Sequence, residues 1–152
     1  MSALLIQGNP EARNAIIGLQ ADMIAAIENG ELPEGYCEVK HYYAPKLYVR
    51  EMTIPAGTRI VGKIHKHAHF NDISKGRVYV FTEFGTEVYD GPVRFTSIAG
   101  TKRAVYAETE TVWTTYHPTE ETDLEKIEAE VIAKDYEELN CISYAEMKGL
   151  IS

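Results

Sequence analysis

The spacing of apolar residues along the chain changes twice, from helical to alternating and back to helical. Between Asn9 and Gly30 the apolar residues recur three or four positions apart, which is the spacing of one helix face. Pro10 suits the first turn of a helix, and Asn29-Gly30 suits its end. We predict a helix within residues 1–30 whose apolar stripe packs on the body of the domain, with a dimer contact as the alternative. The stripe consists of Ala15, Ile16, Leu19, Met23, Ile24 and Ile27.

Residues 46–117 show the alternation of a half-buried β-sheet. Apolar side chains occupy alternate positions in 47–54 and 59–64, and further strands are predicted at 77–81 and 112–117. Glycines separate these segments at short intervals. Short strands divided by turn residues are typical of a β-sandwich or a barrel.

After Pro118 the helical spacing returns. Thr122 and Glu125 form a capping box ahead of an apolar stripe, and Ser143 with Glu146 forms a weaker second box. The stripe consists of Leu124, Ile127, Val131 and Ile132. The order helix, β-region, helix predicts a single domain, with a helical region at 1–30, a barrel at 46–117 and a helical segment at 119–152.

Composition restricts the partners and the compartment. The 152 residues are 45% hydrophobic and 25% charged, as in a water-soluble globular domain. The formal charge of −8 repels polyanions, so nucleic acid is not an expected partner. The first residues lack the features of a signal peptide or a membrane span. Cys37 and Cys141 stand alone, which favours a reducing, cytoplasmic setting.

The main concentration of site chemistry is the run from His65 to His69, which holds three of the five histidines. Imidazoles two residues apart point to one face of a strand, or meet across a hairpin. Either arrangement could bind a metal ion or exchange protons near neutral pH. His41 is expected to be a surface or packing residue.

The stretch 55–100 resembles the cupin superfamily, whose two motifs are built around glycines, histidines and a glutamate. Aligning His65 and His67 with the first histidine pair makes Asp72 or Asn71 the acid, but leaves the closing glycine unmatched. The alternative alignment opens at Gly57 and closes at Gly76 with every spacing of the first motif preserved. It continues through the glycines of the second motif, at Gly85, Gly91-Pro92 and Gly100. We favour it because these glycines encode backbone turns that the fold requires.

In this alignment the four ligand positions of the family are occupied by Lys63, His65, His69 and Arg103. The resemblance implies a cupin-like double-stranded β-helix, or jelly-roll, barrel, mainly β and flanked by helices. It places His65 and His69 on facing strands and His67 at a hairpin tip. A divalent Fe, Mn, Ni or Zn ion could then be held by His65 and His69 with His67 or His117.

A barrel without metal is equally compatible with this alignment. Lys63 and Arg103 would then hold a carboxylate or phosphate, as in metal-free cupin epimerases and isomerases that use a histidine base and a tyrosine acid. Candidates for the acid are Tyr79, Tyr89, Tyr106 and Tyr116, of which Tyr79 and Tyr116 are taken as ligand-binding residues.

The segment that begins at Val112 resembles the ending of short cupin-like proteins encoded by tailed bacteriophages. It implies a non-enzymatic virion or assembly protein, found in the host cytoplasm or the virion, with other phage structural proteins as partners. Barrels of this kind usually form homodimers. The sequence leaves open an enzyme, a ligand-sequestering module and this structural role.

Overall fold

The computed structural model describes residues 10–31 and 37–133. Helix α1 (Pro10–Glu28) comes first, and α2 (Leu124–Val131) lies near the end of the described chain. The strands are β1 (Glu38–Ala44), β2 (Leu47–Ile54), β3 (Arg59–Val61), β4 (Ile64–His65), β5 (His69–Lys75), β6 (Arg77–Thr82), β7 (Gly85–Asp90), β8 (Val93–Ser97), β9 (Ala104–Ala107), β10 (Thr111–Pro118) and β11 (Ile132–Ala133).

Two antiparallel sheets enclose the core. The larger has the strand order β1-β2-β10-β5-β8, and the smaller has the order β3-β9-β6-β7. A short pair of β4 and β11 lies beside them. The cupin-like jelly-roll barrel with an N-terminal and a C-terminal helix, which the resemblance implies, is confirmed.

Strand alternation builds the core between the sheets. The larger sheet contributes Ile54, Ile73 and Trp113, and the smaller contributes Val78, Val80 and Ala107. All six are at most 5% exposed, so the two sheets pack closely against each other here. Ile54 and Trp113 also border the cavity of the candidate site.

Gly76 and Gly91, two glycines of the favoured alignment, stand where the backbone packs closely. Gly76 has a φ of +104°, and a Cβ atom there would come within 2.7 Å of the Cα atom of Thr111. A Cβ atom on Gly91 would lie 2.8 Å from the backbone nitrogen of Lys75. Neither position has room for a side chain, so both glycines are dictated by backbone packing.

Helix α1, described from Pro10 onward, packs on the barrel over a narrow contact. Ile16 is 1% exposed, and Arg13 forms a 3.0 Å ion pair with the buried Glu83. Leu19 and Ile24, which belong to the predicted stripe, are 41% and 50% exposed. Burial of the stripe on the described domain is therefore only partial. The dimer contact stays a prediction.

Helix α2 begins one residue later than the capping box predicts. The N-cap is Asp123 rather than Thr122, and its side chain accepts a 2.9 Å hydrogen bond from the backbone N–H of Glu125. Ile127 and Val131 pack against Tyr48, while Ile132 leaves the helix and starts β11. The second predicted box, Ser143 to Glu146, lies outside the described residues.

Neither α1 nor α2 is both long and apolar enough to cross a membrane, and the search covers the described residues only. Cys37 is a free, partly buried thiol, and Cys141 lies outside the described part.

Candidate functional site

The chain bends within the run from His65 to His69, so the two ends of the run lie in different sheets. His65 ends β4, which pairs with β11, whereas His69 starts β5, which pairs with β8 and β10. The predicted hairpin with His65 and His69 on facing strands is therefore wrong. The two rings nevertheless meet, because the bend between β4 and β5 turns both inward, with centroids 4.3 Å apart.

His117 joins these two rings from β10. Its ring centroid lies 5.7 Å from that of His65 and 5.0 Å from that of His69. Alternation explains its direction, because Trp113, Thr115 and His117 occupy alternate positions on the inner side of β10. We call His65, His69 and His117 the histidine cluster.

The middle of the run faces helix α2 instead. The backbone N–H of Lys66 donates to the carbonyl of Val131 at 2.7 Å, and the Lys66 ammonium donates to that of Ala129 at 2.7 Å. His67 Nε2 hydrogen-bonds with the carbonyl of Glu130 at 2.8 Å. Three successive carbonyls in the last turn of α2 are therefore capped by two residues of the run.

A cavity of about 410 Å³ lies between the sheets, beside the histidine cluster and below α2. Strand β2 supplies one wall through alternate side chains, Tyr48, Arg50, Met52 and Ile54. The other lining residues are His41, Ile60, Val61, Gly62, Lys63, His65, Arg103, Val105, Trp113, Thr115, His117, Leu124, Ile127, Glu128, Val131 and Ile132. His69 stands behind His65 and His117, outside this lining.

Arg103 is the main electrostatic feature of the cavity. Its side chain is 9% exposed, and its Cζ atom lies 5.4 Å from the ring centroid of Trp113 and 5.9 Å from that of Phe95. Burial lowers the pKa of Arg103 to about 10, opposed by a smaller effect of Tyr89. Within the described residues, its buried Nη2 atom has no hydrogen-bond partner. The guanidinium is therefore charged at neutral pH, and the two aromatic rings compensate only part of the cost of burying this charge.

Burial keeps the histidine cluster neutral. It lowers the pKa of His69 to about 3 and that of His117 to about 4, with Arg103 adding to the effect at His69 and Arg50 at His117. The pKa of His65 is also lowered well below its ordinary value, first by burial and then by His69 and Arg103. Neutral imidazoles can both donate and accept hydrogen bonds.

Two ring nitrogens of the cluster are buried without a partner among the described residues. His69 Nδ1 donates to the carbonyl of His67 at 3.4 Å, which leaves Nε2 as the unpaired acceptor. His65 Nδ1 is likewise unpaired, whereas His117 Nε2 hydrogen-bonds with Thr115 Oγ1 at 3.0 Å. Across 10–31 and 37–133, no three His, Cys, Asp or Glu side chains are arranged to hold a metal ion.

The structure separates the predicted site residues. His65, His117 and Arg103 line the cavity, while Lys63 lies at its rim, where its exposed ammonium pairs with Glu128. His67 caps α2 and does not join the cluster.

Two predicted tyrosines lie outside the cavity lining. Tyr79 is on the outer side of β6 against Tyr106, and Tyr116 is on the outer side of β10 against Phe70. Strand alternation is the reason, since Val78, Val80, Thr115 and His117 face inward.

The other residues that the sequence analysis named as candidate acids make packing or hydrogen-bond contacts outside the cavity lining. Asn71 is fully buried and accepts a hydrogen bond from Trp113 Nε1 at 3.0 Å. Asp72 lies 3.7 Å from Arg94 on the outer face of the larger sheet. Tyr89 stacks on Phe95 with centroids 4.3 Å apart.

Sequence reasoning missed Arg50 and Tyr48, whereas His41, exposed and stacked on Tyr48, is a surface and packing residue as expected. Arg50 and Tyr48 face the cavity, and His41 Nδ1 shares a 2.7 Å hydrogen bond with the Tyr48 hydroxyl. The alternation of strand 47–54 could have indicated Arg50, because Arg50 lies on the same face of the strand as Tyr48, Met52 and Ile54. Which face of the strand points inward depends on the pairing of β2 with β10.

No family model and no curated protein matches the sequence. Among solved structures, an ectoine synthase from P. lautus matches with a TM-score of 0.54 and 12% identity, over 67% of this chain and 78% of that one. A salicylate 1,2-dioxygenase from Pseudaminobacter salicylatoxidans matches with a TM-score of 0.53 and 13% identity, over 70% of this chain and 33% of that one. A cupin 2 conserved barrel domain protein from Salinispora arenicola has 8% identity and a TM-score of 0.47, over 57% and 79% of the chains.

The fold is that of a cupin barrel. At such identities the likeness concerns the fold alone, because one fold carries many unrelated activities. The resemblance to phage-encoded proteins, the phage partners and the homodimer therefore stay predictions.

Proposed function

We propose that this cupin barrel binds a small organic anion in the cavity beside the histidine cluster. The observation that carries the proposal is the buried Nη2 atom of Arg103, which has no hydrogen-bond partner among the described residues. The anion pairs with Arg103, while His65 and His117 provide neutral hydrogen-bonding groups.

The energetic argument starts from the cost of burying a cation. A guanidinium taken out of water without an anionic partner destabilises the fold, and the faces of two aromatic rings compensate only in part. No described carboxylate lies within ion-pair distance of Arg103. A bound carboxylate or phosphate would supply charge-assisted hydrogen bonds at this position.

A thermal-shift series with phosphate, acetate and benzoate at constant ionic strength tests the proposal. At about 100 times its dissociation constant, an anion should stabilise the protein by about 2.7 kcal/mol. For a chain of this size, that raises the Tm by roughly 5–10 °C. Arg103→Gln should abolish the shift.

The matched control is Arg94→Gln, which removes a 73% exposed guanidinium side chain on the outer face of the larger sheet. It should keep the full shift. Stabilisation by none of the anions, or equal stabilisation of wild type and Arg103→Gln, would contradict anion binding at this site.

A metal centre is the second candidate, suggested by the proximity of the three imidazole rings, although the described side chains are not arranged to hold an ion. His65, His69 and His117 would have to reorient to hold it, and neutral imidazole suits Fe, Mn, Ni and Zn. The ion would supply a Lewis acid, but Arg103 acts electrostatically on His65 and His69 and opposes a second cation there.

Metal analysis of protein purified without a histidine tag tests this candidate. Close to one equivalent of metal, lost in a His65→Ala, His117→Ala double variant, would support it. Less than about one tenth of an equivalent, with no uptake of added Fe²⁺, Mn²⁺, Ni²⁺ or Zn²⁺, would refute it.

A further inference from the structure

We infer that the anion is a monocarboxylate with an apolar body of about five to eight carbons. The inference rests on the proposed anion binding and adds the class of ligand. The carboxylate is held between Arg50 and Arg103, and the body lies on the apolar floor of the cavity.

The first step is the change in character along strand β2. Tyr48, Arg50, Met52 and Ile54 all face the cavity, and alternate residues of a strand lie about 6.6–6.8 Å apart. Within two such steps the wall passes from a guanidinium to purely aliphatic side chains. A ligand along this wall meets a cation at one part of its length and hydrocarbon at the next.

The second step is that both sheets contribute to the apolar floor. Met52 and Ile54 from β2 face the cavity together with Ile60 from β3 and Val105 from β9. Trp113 from β10 also lines it and contacts the Arg103 guanidinium through its ring. A polar group placed on this floor would lose its hydration without gaining hydrogen bonds.

The third step is the charge balance. Arg50 and Arg103 both act electrostatically on His65, so the two cations lie on the same part of the cavity. Glu128 is the carboxylate among the described lining residues, and it is paired with Lys63 at the rim. The interior therefore has cations without anions, and a planar carboxylate matches the geometry of guanidinium donors.

The fourth step is size. At about 410 Å³, the cavity lies near the lower end of the range for small-molecule sites. Lys63 is the third cation of the lining and is already paired with Glu128, so a second anionic group on the ligand would meet neutral side chains or the aliphatic floor. Both the volume and the lining favour one charge and a short hydrocarbon body.

Calorimetry with straight-chain carboxylates from acetate to decanoate, all below micelle-forming concentrations, tests the inference on the full chain. Affinity should rise about three- to fourfold for each added methylene and stop rising near eight carbons. Hexanoate should bind at least about tenfold more tightly than 1-hexanol, since only the acid pairs with a guanidinium.

Variants separate the head from the body of the ligand. Arg103→Gln should remove the advantage of hexanoate over 1-hexanol, whereas Arg94→Gln should leave it unchanged. Val105→Phe should shift the optimum to shorter chains by filling the floor. Val105→Leu, a smaller change, should shift the optimal chain length less. It provides the same test if Val105→Phe fails to fold.

The failures are distinguishable. Binding of phosphate or acetate with no gain on lengthening the chain would overturn the monocarboxylate inference and leave anion binding standing. Equal binding of hexanoate and 1-hexanol would overturn the role of the guanidinium groups. If no anion binds, both the inference and the proposed function fail.

Discussion

Different residues of the five-residue run from His65 to His69 contact different parts of the molecule. His65 and His69 turn inward to meet His117, whereas Lys66 and His67 cap the carbonyls of α2. The same run therefore joins the cavity to the helix above it. Spacing alone predicts the inward pair, but not the contacts of the intervening residues.

The lowered pKa values of His69 and His117 predict a loss of stability in mild acid. Unfolded histidine binds a proton below about pH 6.5, whereas these folded side chains do so only below about 3 and about 4. The unfolded state therefore binds more protons between pH 6.5 and 4, and the free energy of unfolding falls as the pH falls through that window.

At pH 5 the expected loss is about 2 kcal/mol for each of these histidines. Urea unfolding at pH 7, 6 and 5, on protein treated with a chelator, measures it. A His69→Gln, His117→Gln double variant should lose less stability than wild type over the same range, because it lacks the two histidines that take up protons on unfolding. Both proteins have the same carboxylates, so the titration of those groups cancels in the comparison. Parallel pH dependences of the two proteins would contradict the assignment.

Arg103 should reduce the stability of the ligand-free protein. Its guanidinium is buried against Trp113 and Phe95 without a described carboxylate partner. Arg103→Met keeps the bulk and removes the charge, and it should raise the free energy of unfolding by about 2–3 kcal/mol. Urea unfolding without added anions checks this, and a clear loss of stability in Arg103→Met would show that the charge is already compensated.

At the scale of elements, α2 is the roof of the cavity. Its apolar side is held by Ile127 and Val131 against Tyr48, and its last turn is capped by Lys66 and His67. The ion pair between Lys63 and Glu128 lies outside, with both side chains more than half exposed. Packing and capping, rather than this ion pair, hold the roof in place.

Two variants separate these contributions. Ile127→Ala should cost about 2–4 kcal/mol and increase amide exchange in 124–133, because Ile127 is 2% exposed. Lys63→Met removes the exposed ion pair and should cost less than about 1 kcal/mol. Hydrogen exchange with mass spectrometry distinguishes the two. A larger increase in Lys63→Met than in Ile127→Ala would contradict the account of the roof.

At the scale of the whole molecule, the barrel was predictable because its glycines keep the spacing of the turns of a known family. Gly76 and Gly91 stand where a side chain would collide with backbone, so their spacing preserves the turns of a cupin barrel. His65, Arg103 and His117 follow from those turns and from strand alternation.

The rest of the site depends on pairings between distant segments. Strand β4 pairs with β11, more than sixty positions along the chain, so the predicted histidine hairpin does not form. Arg50 faces inward only because β2 pairs with β10 in one alignment, and Tyr79 and Tyr116 face outward for similar reasons. A single sequence does not determine such pairings.

The charge of the molecule also differs between surface and cavity. The chain has a formal charge of −8, yet Arg50 and Arg103 give the cavity a positive lining. An anionic ligand is therefore repelled at long range and attracted at short range. Added salt screens the long-range repulsion, while a buried pair is screened much less.

The most direct test of anion binding in the cavity is a titration followed through histidine ring signals in NMR spectra. The probe is hexanoate, added to protein with isotope-labelled histidine, whose five rings include His67, which caps α2 and lies outside the cavity lining. We predict saturable shifts of the signals of His65 and His117, which line the cavity, with little change at His67. Shifts confined to His67, or none at saturating hexanoate, would contradict binding in the cavity.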